Sequence, residues 1–148
     1  MNAYDVMRQH QRIEYNNFPL HFAFGEEQIE RKFAELGLDR EKDLDKIVVI
    51  PHTGGFMLKK DRDAFLDMNK RHSEEFQNAI AEDKTGDGFI LDMFISELSN
   101  NEFGYDEEMA VHGALRTLGL TLKQICENKA LNFGFEKAKK TLREASEV

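Results

Sequence analysis

The sequence predicts an α+β protein: about six helices packed on a small antiparallel sheet, within a single globular domain spanning 1–148. Three observations carry that expectation. Ile47-Val-Val-Ile50 is a run of β-branched residues closed by Pro51, and Gly54-Gly55 opens a second apolar run to Leu58, which together read as a hairpin. Leu20-His-Phe-Ala-Phe24 is short, aromatic and nearly alternating, the pattern of one more strand. Most of the remainder places apolar residues at helical spacing between glycine, asparagine and aspartate punctuation. The sheet is therefore expected from strand 20–24 and the hairpin 47–50/56–59.

The first helix is expected to start after Asn2, a cap, and to turn Val6, Met7, His10 and Ile13 inward. It must stop before Asn16-Asn17-Phe18-Pro19, because the residue ahead of a proline is pushed out of the helical region. Gly25-Glu26-Glu27 opens a second helix, with its acids at the positive end of the dipole. Ile29, Phe33 and Leu36 form its stripe, and Gly37 with Leu38 its left-handed stop. Asp61 reads as the cap of a long third helix to about Glu82, with Phe65, Met68, His72, Phe76, Ala79 and Ile80 on one face. After the break Thr85-Gly-Asp-Gly88, Phe89 to about Ser99 is apolar on most sides and should be the most buried helix. Asp106 caps a fifth helix through Met109, Ala114, Leu115 and Leu118, closed by Gly119. Thr121-Leu-Lys-Gln124 is a capping box for the final helical region, where Gly134 is a candidate break. Glu35-Leu-Gly-Leu-Asp39 and Thr117-Leu-Gly-Leu-Thr121 read as two independent uses of one helix-stop device.

Hydrophobic residues make up 41% and charged residues 32%, the balance of a folded chain rather than a disordered one. No apolar run approaches the roughly 18–20 residues of a membrane helix. Met1–Asp5 shows no secretory leader, and one cysteine, Cys126, suits a reducing compartment, so a cytoplasmic location is expected. The net charge of −8 is concentrated: residues 74–108 hold 11 acids and one base, Lys84. That balance argues against nonspecific nucleic-acid binding, which needs cationic contacts to phosphate. The block reads either as a solvated face or as a surface for a basic host protein.

Asp83-Lys-Thr-Gly-Asp87-Gly88 places Asp83, Thr85 and Asp87 at positions 1, 3 and 5 of an EF-hand-like loop over 83–94, with glycine at 6. Position 12, the bidentate carboxylate of such loops, is Phe94, so any calcium loop here is degenerate. His72 and Glu75 stand three apart, with His52 in the hairpin turn, but no HExxH pattern supports a metal site, and none is expected. Pro51-His-Thr-Gly-Gly55 lacks the lysine of a phosphate loop and leads into a strand. Cys126 has no nearby histidine and reads as a half-buried structural thiol. Asn100-Asn101-Glu102 follows the most apolar helix and is either a helix terminator or the mouth of a polar pocket. No motif implies a cofactor.

Phe18-Pro19, Phe22-Ala-Phe24, Gln28, Gly37-Leu38, Gly54-Gly-Phe56, Glu97-Leu-x-Asn100-x-Glu102-Phe103 and Leu118-Gly-Leu-Thr121, in that order, resemble an uncharacterised family of small phage- and plasmid-associated bacterial proteins. The similarity runs from about Phe18 to Thr121. The family pattern carries histidine between the Asn and Glu of its E-L-x-N-x-E segment, where this chain has Asn101. The resemblance implies a mobile-element accessory protein inside a bacterial cell and no particular reaction. The leading expectation is a non-enzymatic protein-interaction module, with Glu102, Asp106, Glu107 and Glu108 as partner-binding residues. The alternatives are a small enzyme or ligand-binding protein with a polar site near Asn100 and Glu102, and the degenerate calcium loop.

Overall fold

In a computed structural model describing residues 1–146, the chain runs α1 (Ala3–Asn17), β1 (His21–Phe22), α2 (Glu26–Glu35), β2 (Ile47–Ile50), β3 (Gly55–Leu58), α3 (Arg62–Glu82), α4 (Phe89–Asn100), α5 (Glu107–Leu118), α6 (Leu122–Glu127) and α7 (Lys129–Ser146). The architecture is α+β, with seven helices among the described residues and an open three-stranded antiparallel sheet ordered β1-β3-β2. Two compact units divide the chain: one holds Met1–Gln11 and the chain from Glu74 on, the other Arg12–Ser73.

In the 12–73 unit, Ile47 pairs with Leu58 and Ile50 with Gly55 across the hairpin, while His21 and Phe22 pair with Phe56 and Gly55. The strand expected over 20–24 is shorter because the Phe24 N–H donates to the Gln28 side chain at 2.8 Å and so leaves the ladder. The Gly54-Gly55 pair has a steric cause. A Cβ on Gly54 would lie 2.5 Å from the Phe24 ring, and one on Gly55 2.8 Å from the Phe22 ring. Phe33 of α2 packs on Phe56 with ring centroids 5.7 Å apart, and Ala23, Ile29, Leu36, Leu38 and Ile47 complete this cluster. α2 stops as expected: Gly37 takes a left-handed φ of 69°, and the Leu38 N–H returns to the Phe33 carbonyl at 2.8 Å. Lys59–Asp61 forms a 3-10 turn, so Asp61 lies inside that turn rather than capping α3.

In the other unit, α4 is the core element: Ile90, Met93, Phe94 and Leu98 are fully buried. Its start is held by Asp83, whose carboxylate accepts the N–H groups of Gly86, Gly88 and Ile90 at 2.9–3.1 Å. The device seen after α2 recurs at the end of α5, where Gly119 has φ 68° and the Leu120 N–H reaches the Leu115 carbonyl at 3.1 Å. Thr121 and Gln124 make the capping box of α6. The expected break at Gly134 falls instead at Asn128, whose side chain accepts the Leu131 N–H at 3.0 Å. Gly134 is interior to α7 and marks a close approach: a Cβ there would lie 2.5 Å from the Ile90 side chain and 2.6 Å from the Gly86 carbonyl. The inward face expected for α1 is also corrected. Val6, His10 and Ile13 are exposed, whereas Tyr4 and Gln11 are buried.

Candidate interaction groove

α5 turns Ala110, Ala114, Leu115 and Leu118 into the core and leaves Val111 and His112 towards its outer side. Small residues permit the close approach, since a Cβ on Gly113 would collide with the Asn101 side chain at 2.1 Å. Met109, which the fifth helix was expected to run through, is exposed. The outer side of α5 borders a hollow of about 460 Å³ with Phe103, Val111, Leu122 and Phe135 as its apolar walls. Glu107, Glu108 and His112 of α5 line it on one side, and Lys139 and Arg143 of α7 on the other. A second hollow of about 320 Å³, lined by Leu115, Arg116, Leu120 and Thr121, shares Val111, His112 and Leu122 with the first. Both hollows thus border the same outer side of α5. A larger hollow of about 930 Å³ is lined by α7 residues alone, between Lys129 and Glu144, and so has a single helix face as its wall.

The charges at the groove's mouth are mostly committed. Arg143 grips Glu107 through Nε and Nη2 at 2.8 and 3.0 Å, and those hydrogen bonds hold the Glu107 carboxyl below its ordinary range. The same pair raises the Arg143 guanidinium, which also lies 5.9 Å from the Phe103 ring centroid. Lys139 sits 4.4 Å from the Phe135 ring centroid and 3.0 Å from Glu136. Glu108 has no ion-pair partner among the described residues.

Of the four acids expected to meet a partner, Glu107 and Glu108 line the groove, and the other two build the turn before it. Asp106 caps α5 by accepting the Met109 N–H at 3.1 Å. Glu102 adopts a left-handed φ of 60°, and its carbonyl accepts the Tyr105 and Asp106 N–H groups. Asn100 donates to Glu97 at 3.2 Å rather than turning towards Glu102.

The other sequence candidates are spoken for. The Asp83 carboxylate serves its own loop, Asp87 pairs with Lys137 at 2.6 Å, and Phe94 is buried against Phe135, so the 83–94 oxygens do not converge. His72 meets Glu14 at 3.0 Å, and Glu75 receives Gln11 at 3.4 Å. No cluster of three His, Cys, Asp or Glu suited to a metal occurs among the described residues. Thr53 accepts the Gly55 N–H at 3.0 Å, which removes that donor from any anion nest. Cys126 is exposed rather than half-buried, because α6 turns its neighbour Ile125 inward.

Sequence reasoning missed a buried polar cluster. The Tyr4 hydroxyl, 98% withdrawn from solvent with its ring, accepts from Arg8 Nε at 3.2 Å, and Arg8 also donates to Gln11 at 2.9 Å. Burial, opposed by Arg8 and reinforced by Glu97, raises the Tyr4 phenol above its usual range. Asn2 ties in from the other side, donating to Ser96 at 2.9 Å while accepting the Asp5 N–H as the cap of α1. No buried side-chain polar atom among the described residues is left without a partner, so this cluster is a structural tie. The available signal was the spacing of Tyr4, Arg8 and Gln11, four and three residues apart, which puts all three on one face of α1.

A family model matches residues 3–141, and the chain belongs to that family, a family of unknown function (DUF7659). No curated protein and no solved structure matches the chain. No helix among the described residues is long and apolar enough to cross a membrane.

Proposed function

We propose that this protein is a non-enzymatic protein-interaction module, whose groove along α5 receives an apolar segment of a partner protein flanked by a basic residue. The observation that carries this reading is the pair of neighbouring hollows along α5, both lined by Val111, His112 and Leu122. The α5 residues that line the groove, from Glu107 to Arg116, span about 14 Å, enough for two to three turns of a helical segment. Glu108 supplies the uncommitted carboxylate for the basic residue, while Glu107 is already neutralised by Arg143. The wider setting we propose is a bacterial cytoplasm and an accessory role on a mobile element, with exposed Cys126 suited to a reducing compartment.

Capture from host lysate with the wild-type chain, Val111→Glu and Glu108→Lys tests it, with Glu41→Lys in the other unit as control and circular dichroism as the check on folding. The expected result is a captured protein lost with V111E, weakened with E108K and by added salt, and kept with E41K. A peptide from that protein, with apolar anchors beside Lys or Arg, should then bind the wild-type chain calorimetrically. Equal capture by all four chains overturns the proposal.

A further inference from the structure

The sheet has two open edges, and they differ. β1 is only two residues long, and the chain after it is turned out of the ladder by Gln28. β2 is four residues of isoleucine and valine, with no charge, proline or bulge inside it; Lys46 and Pro51 stand just outside. Edge strands are ordinarily guarded by such features, because unpaired N–H and C=O groups invite another strand. Val49 is 62% exposed, and Leu44, just before the strand, 57%. Charge does not protect this region either: residues 12–73 hold 12 acids and 11 bases, so almost all of the net −8 lies in the other unit.

We propose that β2 pairs antiparallel with β2 of a second copy of this chain, joining two three-stranded sheets into one of six strands. Self-pairing fits this edge because it sets uncharged β-branched residues, which suit a pleated surface, opposite one another and brings no like charges face to face. Symmetry narrows the register. In an antiparallel seam about a two-fold axis a residue opposes its own copy, so the seam centres on Val48 or Val49. With Val48 at the centre, Ile47 faces the second copy's Val49; with Val49 there, Val48 faces its Ile50. Both registers keep each side chain on its own face of the sheet, and both cover Val49. A four-residue seam is small, so the dimer should be weak, with a dissociation constant on the order of micromolar or above.

Sedimentation from about 1 µM to about 1 mM reads this directly, since a shift from monomer to dimer should cross that range. Val49→Lys, at an exposed position the monomer tolerates, should raise the dissociation constant about tenfold or more, whereas Leu66→Lys on α3 should leave it unchanged. In a Cys126→Ser background, Val48→Cys or Val49→Cys should form an intermolecular disulfide on mild oxidation. A chain monomeric throughout, a dimer unaffected by V49K, a dimer dissolved by L66K, or no disulfide from either cysteine overturns the proposal. The first of those results would leave the edge open to a strand of a different protein.

Discussion

In the helical unit, Ile90, Met93, Phe94 and Leu98 are withdrawn wholly from water, and Ala110, Ala114 and Ala138 let α5 and α7 approach them. The cluster on the sheet of the 12–73 unit is smaller: Ala23, Phe33 and Phe56 are buried, ringed by Ile29, Leu36, Leu38 and Ile47, each still partly wet. Around that cluster the chain is held by local features: the Gly37 stop, the Phe22 and Phe24 rings close to Gly55 and Gly54, and ion pairs at the surface. Surface pairs contribute about 0–1 kcal/mol each, whereas a fully buried large side chain contributes about 1.5–3 kcal/mol. The comparison teaches that packing specifies the helical unit and turn chemistry specifies the sheet unit. Local opening should therefore begin in residues 12–73.

The largest effect that tests this contrast is Phe94→Ala. Phe94 is fully buried, with its ring 5.1 Å from that of Phe135, and truncation should cost about 4–5 kcal/mol in urea unfolding. Phe56→Ala, in a cluster with partly exposed walls that can close over the gap, should cost nearer about 3 kcal/mol. Hydrogen exchange separates the two further: F56A should speed exchange in β2 and β3 and leave α4 protected. Equal losses, with exchange raised everywhere in both variants, would erase the distinction between the units.

That contrast also decides what could be read from the sequence. α4 was legible because its apolar residues occupy most sides, and the hairpin because β-branched runs flank a glycine turn. The face of α1 was misjudged because Tyr4 and Gln11 carry polar tips; their burial depends on Arg8, Glu75 and Glu97, and the latter two are distant in sequence. Both ends of α5 and the start of α6 could be read because their caps are local, made by residues three or four apart. The groove could not, since Phe103, Val111, Leu122, Phe135 and Arg143 each look like ordinary helix-surface or core residues until the helices bring them together. Glycine was the most ambiguous letter: Gly37 and Gly119 stop helices, while Gly134 lets one helix run close to its neighbours.

Gly134→Ala sharpens that last point with an intermediate effect. On an isolated helix the change would favour folding by about 1 kcal/mol. Here the added methyl would meet the Ile90 side chain and the Gly86 carbonyl, so the net result should be a loss of about 1–3 kcal/mol. Gly104→Ala, where nothing lies within 4 Å of the added carbon, should change stability little. Thermal unfolding of the two variants checks it. A stabilised G134A would mean that α7 can withdraw from α4 without penalty.

The smallest expected effect is a pH dependence in the sheet unit. Glu14 accepts hydrogen bonds from Arg71 and His72, which hold its carboxyl down to about 2 from an ordinary 4.5. A carboxylate depressed in the folded state contributes its full stabilisation above the unfolded value, and that contribution fades as pH falls from 4.5 towards 2. Glu14→Gln should therefore be less stable than wild type at neutral pH, and the gap should narrow through that acidic window. Because the carboxylate stands in solvent, screening keeps the gap small, and added salt should shrink it at neutral pH. Urea unfolding of both chains across the window is the measurement. A gap that stays constant down to the lowest pH would assign the loss to packing by the Glu14 stem instead of to its charge, and the sheet unit would then depend less on surface ion pairs than its thin core suggests.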